Sequence, residues 1–334
     1  MVKFDDFTIK YLKIFIGKRS NEILPNLKEL KRQVLVSINK SLKYKIEEYS
    51  IPLLKIKKLI DSKWVDQEVI NNLDELKSNF KITWSHKNID HTIFIKSTND
   101  KLNNFKERLI ILLNMLNFIH DKRETKENRP IKMYLILTLL KKIPPVSNNN
   151  IVGVKNVNSG YTDFITNQIL VWREEEFEKV IFHEMIHYMD LDVRNMAFDD
   201  NQLPHDIEGP KSYYEAFTDF WGNLYHLIYL SIITKKSVDS LFQIEYQFMK
   251  NQANLFNNIF KLNDWSNKKI VKQNTPAFTY YILKYLIFNY VIESKSLDCL
   301  NRPRELLSNI LKNEFENDKF LNLESTRMTL IQLK

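Results

Sequence analysis

The sequence predicts an α+β fold in which a small mixed β-sheet backs one central helix, with a helical extension before it and a mainly helical part after it. Three observations predict it. Short β-rich runs separated by turn residues lie between residues 81 and 172, interrupted by one long amphipathic stretch. A helix with Phe177, Val180, Ile181 and Tyr188 on its packing face comes next. From Glu215 onward, apolar residues recur at helical spacing to the end of the chain. The 334 residues, 44% of them hydrophobic, suffice for a sizeable core. The divisions fall at 1–79 for the helical extension, 80–195 for the sheet and central helix, and 196–334 for the helical remainder.

Taken in order, residues 21–47 form an amphipathic helix, with Pro25 in its first turn and Leu27, Leu30, Val34, Ile38 and Leu42 as its stripe. Pro52 restarts the pattern, and two further helices fill the stretch to 79. This unit carries no nameable chemistry; it suits a helical cap, a partner-binding module or a propeptide-like cover. Ile82 and Trp84, then Thr92, Phe94 and Ile95, predict two strands around a polar turn at 87–90. His86 and His91 lie in or beside that turn as exposed strand-end histidines. Leu102, Phe105, Leu109, Leu112, Leu116 and Ile119 line one face of a helix, and His120 at its end suits the negative pole of the dipole. Residues 131–140 run as an apolar strand stopped by Pro144 and Pro145, and 152–157, 161–165 and 169–172 read as short strands. Thr275 and Pro276 then cap an unusually aromatic helix, 276–292.

The chemistry concentrates at His183-Glu184-Met185-Ile186-His187, an HExxH motif. Helical residues four apart share a face about 6 Å apart, so the two imidazoles can grip one tetrahedral Zn²⁺. Glu184 can then reach the open side of the metal as general base towards a bound water. An accidental match would be indifferent to its surroundings. Here Glu174, Glu175 and Glu176 suit the first turn of the helix, and its apolar face packs opposite the histidines.

A catalytic zinc needs a third protein ligand. Asp190 and Val193 exclude a continuation with a glycine and a third histidine at those positions. His205 stands in a loop-like stretch with Asp199, Asp200, Pro204, Gly209 and Pro210. Glu215 is the better candidate, because it follows the turn at Gly209-Pro210 and opens a helical run through Phe217, Phe220, Trp221 and Leu224. Asp219, one turn on, can accept the free N–H of a ligating imidazole. His226 lies eleven residues beyond Glu215, about 16 Å along a helix, and is structural.

HExxH followed by ExxxD resembles the gluzincins, the thermolysin-like zinc metallopeptidases, over residues 183–219. The resemblance implies a zincin-like fold with one Zn²⁺ on His183, His187 and Glu215. It makes Glu184 the general base and Asp219 the carboxylate behind His183. It also implies an edge strand that pairs with an extended protein or peptide substrate, for which 156–164 is the candidate. Tyr214 stands before Glu215 where thermolysin has asparagine, and the spacing between the motifs is longer. Hydrolysis also needs a donor to the oxyanion. Tyr213, Tyr280 and Tyr281 are candidates, the last two because a C-terminal helix faces the zinc in this family.

Residues 174–220 hold thirteen Asp/Glu and three Lys/Arg, a net of −10, within a chain of formal charge +8. The acidic zone coincides with the motif and attracts a cation or a basic segment. The dispersed basic remainder is a solvated surface more than a nucleic-acid footprint. One cysteine, Cys299, excludes an internal disulfide framework and fits a reducing compartment. The apolar runs 227–233 and 285–292 are too short to span a bilayer, and no secretory signal opens the chain. The expectation is therefore an intracellular zinc metallopeptidase. Its rival is a catalytically silent zincin-fold protein within a virion or other assembly.

Overall fold

Within the run predicted at 131–140, residues 133–137 are apolar without a break because the strand they form is covered on both faces, and a sheet is built around it. The computed structural model describes residues 3–17, 23–98, 102–123, 129–145, 151–194, 203, 205–262, 268–311 and 320–334. The chain forms α1 (Asp6–Gly17), α2 (Leu27–Ser37), β1 (Tyr44–Glu48), α3 (Leu53–Ile60), α4 (Gln67–Asn71), β2 (Ser78–His86), β3 (Ile89–Ser97) and α5 (Leu102–His120). There follow β4 (Lys132–Thr138), α6 (Val154–Val157), β5 (Gly160–Asp163), β6 (Gln168–Arg173) and the central helix α7 (Phe177–Tyr188). β7 (Asp206–Glu208), α8 (Tyr214–Thr234), α9 (Val238–Ile259), β8 (Ile270–Lys272), α10 (Lys284–Ser294) and α11 (Pro303–Ile310) complete it.

The six-stranded sheet has the order β1-β2-β3-β4-β6-β5 and is mixed, since β3, β4 and β6 run parallel while the other pairs are antiparallel. Met133 and Leu135 of β4 join the main core, which also holds the inner faces of α5, α7 and α8. Tyr134 and Ile136 point the other way, against Ile56, Ile60 and Val69 of α3 and α4. A strand buried on both sides gains nothing from polar alternation, hence its unbroken hydrophobicity. The hairpin β2–β3 turns on Lys87 and Asn88, both at positive φ (50° and 63°), the two-residue geometry whose twist matches the strands.

Several expectations are corrected. The helix predicted at 21–47 ends at Ser37, and β1 pairs with β2 instead of extending it. Asn39 explains the break: its N–H donates to Asn114 Oδ1 (2.7 Å), its carbonyl accepts from Asn114 Nδ2 (3.2 Å), and its side chain takes the N–H of Ser41 (2.9 Å). Such bonds compete with helical ones. The helical extension thus contributes a strand to the sheet and two helices to its outer face. The strand expected at 152–157 is replaced by α6, with Asn156 Oδ1 accepting the N–H of Gly153 (2.8 Å). His91 is fully buried, not exposed.

Nor is the chain helical to its end. β8 pairs in parallel with β7, and residues 325–333 form a buried, non-helical tail. Glu174, Glu175 and Glu176 precede α7 and do not form its first turn. Glu176, at φ 58°, pairs with Lys142 and accepts the N–H of Met328 from the tail. Before the last aromatic helix, Gln273 caps the N–H of Phe278 (3.0 Å), while the Thr275 hydroxyl goes to Asn158 (2.6 Å). Asp199, Asp200, Pro204 and the division at 195/196 lie outside the described residues. Among the described residues, no helix is long and apolar enough to cross a membrane.

The tail is held partly by a buried carboxyl. Both Glu245 oxygens lie 3.1 Å from the N–H of Leu330. Burial raises this group to about 7, although the bonds from Leu330 and Thr329 oppose the rise. The folded chain keeps the proton that the unfolded chain releases near the ordinary value of 4.5. Stability from this group is therefore full at low pH, falls between about 4.5 and 7, and stays low above. In urea unfolding, Glu245→Gln should gain about 3 kcal/mol relative to the parent between pH about 4 and pH about 8. A difference that stays flat with pH would show that Glu245 is ionised in the fold.

Candidate metal centre

The two histidines of α7 are four residues apart, and the helix brings their Nε2 atoms to 3.1 Å. Glu215, in the first turn of α8, places Oε2 3.1 Å from each of them. All three residues are buried. The close crossing of α7 and α8 makes this possible. It depends on Gly222, where an added Cβ would lie 3.2 Å from both Cα and Cβ of His183.

The other ring nitrogens decide what the triangle can hold. His183 Nδ1 donates to Asp219 Oδ1 (2.9 Å), and His187 Nδ1 donates to Asp192 Oδ2 (2.5 Å). Each ring, when neutral, therefore has its lone pair on Nε2, facing the other Nε2 and a carboxylate oxygen, and a cation there would take the place of a proton. Three such donors repel unless a positive charge sits among them. Burial depresses His187, but the Glu215 charge and the bonds to Asp192 and Glu215 outweigh it and raise the group to about 10. Burial likewise opposes ionisation of Glu215, yet the adjacent histidines hold its carboxyl well below the usual range. The triangle fits a zinc ion. Zn–N distances of about 2.0–2.1 Å in a tetrahedron require donors about 3.3 Å apart, close to the 3.1 Å observed on all three sides.

Asp219 is itself tied down. Burial would raise it, but Lys179 of α7, Lys284 of α10 (2.8 Å) and His183 together keep it ionised. Glu184 points to the same side as the histidines and accepts from the Thr162 hydroxyl at 2.9 Å. Burial raises its carboxyl, with His183 and His187 opposing. Thr162 belongs to β5, the edge strand within the predicted 156–164 segment, and Gly160 of that strand lies against α7. A Cβ at Gly160 would approach Val180 Cγ1 to 2.6 Å and Glu184 Cγ to 3.1 Å. A cavity of about 240 Å³ opens over these groups, and Trp64, Tyr161, Phe164, Arg194, Tyr214 and Tyr280 line its walls.

Of the three tyrosines proposed as donors, the structure brings one to the site. The Tyr280 hydroxyl donates to Glu215 Oε2 at 3.0 Å, and its ring centroid lies 5.9 Å from that of His183. Tyr281 is excluded: its hydroxyl bonds Thr326 O in the core, and its ring stacks on Phe256 at 3.7 Å. Both lie in the π-helical turn Thr279–Leu283, where neighbouring side chains diverge around the helix axis. Tyr213 is buried outside the cavity, whereas Tyr214 lines it. His205 accepts from the N–H of Lys269 (3.4 Å) beside β7, and His226 lies 3.4 Å from Thr329 Oγ1 against the tail.

Asp192, Thr162, Lys179 and Lys284 escaped sequence reasoning. Asp192 reaches His187 because Asp190, at φ 56°, turns the chain back after the helix. Its only sequence signal was a carboxylate five residues beyond the second histidine. Lys179 stands one turn before His183 on the same helix, a spacing visible in the sequence, whereas Thr162 and Lys284 meet the site through tertiary packing.

No protein-family model matches the chain, and no solved structure matches it. An uncharacterized protein of Acanthamoeba polyphaga mimivirus is 26% identical over 199 residues, covering 54% of this chain and 49% of that protein. The chain thus matches about half the length of this curated relative.

The tight α7–α8 crossing has a measurable consequence. Gly222→Ala must push α8 away from the His183 backbone, since the neighbouring atoms cannot rotate aside. A loss of about 1–3 kcal/mol is expected from such overpacking, read as a lowered denaturant midpoint. An unchanged midpoint would mean that the helices separate without cost.

Proposed function

We propose that this chain is a zinc-dependent metallopeptidase of the gluzincin type, with His183, His187 and Glu215 as ligands of one Zn²⁺. The observation that carries the proposal is the 3.1 Å triangle of two imidazole Nε2 atoms and a carboxylate oxygen beside an open cavity that also holds Glu184. A zincin-like fold is proposed with it, supported by a mixed sheet whose edge strand lies along the HExxH helix.

Zinc bound there would act as a Lewis acid and lower the pKa of a bound water. Glu184 is placed to take a proton from an attacking water and to return it to the leaving amine. Its buried setting and the Thr162 hydroxyl hold the carboxylate in place for both transfers. Tyr280, freed from Glu215, is placed to donate to the oxyanion. Asp219 and Asp192 fix the tautomer of each ligating imidazole. The free edge of β5 suits an extended peptide bound by strand addition, with aromatic walls from Trp64, Tyr161 and Phe164. An intracellular setting goes with this reading. The alternative is a catalytically silent zincin-fold protein of a virion or other assembly, and a relative encoded by a virus fits a virion setting.

Elemental analysis after dialysis into metal-free buffer tests the metal assignment, and turnover separates the peptidase from the silent alternative. One tightly held zinc is expected in the parent and in Glu184→Gln, and none in Glu215→Ala. Zinc-free but folded parent protein, or full retention without Glu215, would overturn the assignment. Against a peptide library, Glu184→Gln should fall by about 10²–10⁴-fold; equal turnover would exclude Glu184 as base, and no turnover by the parent would favour the silent alternative. Tyr280→Phe should lower kcat by about 10²-fold with KM and zinc content little changed. An unaltered kcat would remove Tyr280 from the mechanism.

A further inference from the structure

We propose a second, weaker transition-metal site formed by His86, His120 and Asp121, where the β2–β3 turn meets the C-terminus of α5. Ligand atoms of these three residues all lie within 4.8 Å of one another. His86 Nε2 is 2.8 Å from Asp121 Oδ1, and His120 Nδ1 is 3.7 Å from the same oxygen.

The hydrogen bonds around the cluster show which atoms are available. His120 Nε2 donates to the carbonyl of Arg129 at 3.1 Å, so the proton is on Nε2 and Nδ1 carries a lone pair. That Nδ1 is buried and has no hydrogen-bond partner. It faces a carboxylate oxygen, an arrangement that a cation between them would relieve. Burial lowers His120, which keeps the ring neutral near pH 7 and ready to ligate. The carbonyl end of a 19-residue helix adds negative potential at the same place.

His91 stands close by, with its ring 5.2 Å from that of His120 and 6.4 Å from that of His86. It is a wall and not a ligand, because Nδ1 accepts the N–H of Ile131 (2.9 Å) and so places the proton on Nε2. Burial and the two neighbouring rings hold it down to about 4, so it adds no positive charge that would repel an ion. Two imidazoles and one carboxylate select zinc, copper or nickel over magnesium or calcium. The donors need to close by up to about 1.5 Å to reach the spacing of about 3.3 Å in a tetrahedral site, and Asp121 is solvent-accessible, so the affinity is below that of the buried triangle. The ion would displace the His86 Nε2 proton and the ammonium of Lys87, now 2.8 Å from Asp121 Oδ1. It would then staple the hairpin to α5.

Zinc titration of the full chain, by calorimetry and by elemental analysis after equilibrium dialysis at micromolar free zinc, tests this. The parent should reach two zinc ions, and His86→Ala or His120→Ala one. Glu215→Ala should still take up one, so the test succeeds or fails independently of the peptidase proposal. Lys87→Asn suits the positive φ of the turn and removes the competing charge. It should tighten the second site about fivefold. Failure of Glu215→Ala to take up an ion, persistence of that ion when His86→Ala or His120→Ala is added to it, or no tightening in Lys87→Asn would overturn the proposal.

Discussion

The buried carboxylate of Asp219 is the interaction on which the centre depends. It accepts from His183 on α7, pairs with Lys179 one turn earlier on that helix, and takes Lys284 from α10. Three elements distant in sequence therefore meet at one charge. A lone ionised carboxylate at this depth would cost several kcal/mol, and the two ammonium groups and an imidazole N–H offset that cost. The same contacts leave the His183 ring little freedom, and they fix its proton on Nδ1. The lone pair on Nε2, and with it the ability of the triangle to hold a cation, follows from a residue that never touches the proposed ion.

The termini reinforce this arrangement from the opposite side. Arg327, buried in the tail, pairs with Asp5 and lies over the ring of Phe7 at 4.0 Å. Phe7 and Phe15 of α1 meet Phe248 of α9 edge-on. Met328 of the same tail reaches Glu176 at the entry to α7. Most polar side chains of the tail find partners far along the chain, as buried polar groups require. The position of the HExxH helix is thus set from three directions: the sheet beneath it, α8 across it, and the tail at its start.

The parts legible in the sequence were those governed by local spacing. The pairing of His183 with His187 is a property of one helical turn, and Glu215 with Asp219 repeats it on α8. The apolar run at 131–140 and the alternation around the 87–90 turn likewise needed no distant partner. Failures came where a local pattern met a tertiary competitor. Ile38 and Leu42 continue the helical stripe of α2, but Asn39 finds Asn114, 75 residues away, and the helix stops. The tail mixes Ser, Thr and Arg with apolar residues and gives no sign of burial, because Glu175, Glu245 and Asp5, which satisfy it, lie 85 to 322 residues away. Tyr280 and Tyr281 were indistinguishable in the sequence because packing against α8 and the tail decides which neighbour faces the cavity and which the core.

The two histidine clusters illustrate how differently one set of ligand types can be built. In the main centre the backbone has already brought the donors together, since both histidines share a helix face and Glu215 is clamped by the α7–α8 crossing. Little rearrangement remains to be driven by an ion, and the remaining direction faces a cavity with Glu184 and Tyr280. A purely structural zinc site closes all four positions with protein ligands, and this geometry leaves one open, which supports chemistry over mere stabilisation. In the hairpin cluster only His120 is fixed, by its bond to Arg129, while His86 and Asp121 sit on accessible side chains with Lys87 already neutralising the carboxylate. Donor identity is nearly the same in the two places. What separates them is how much of the ordering was completed by folding, and that is why the buried triangle is the site at which catalysis is proposed.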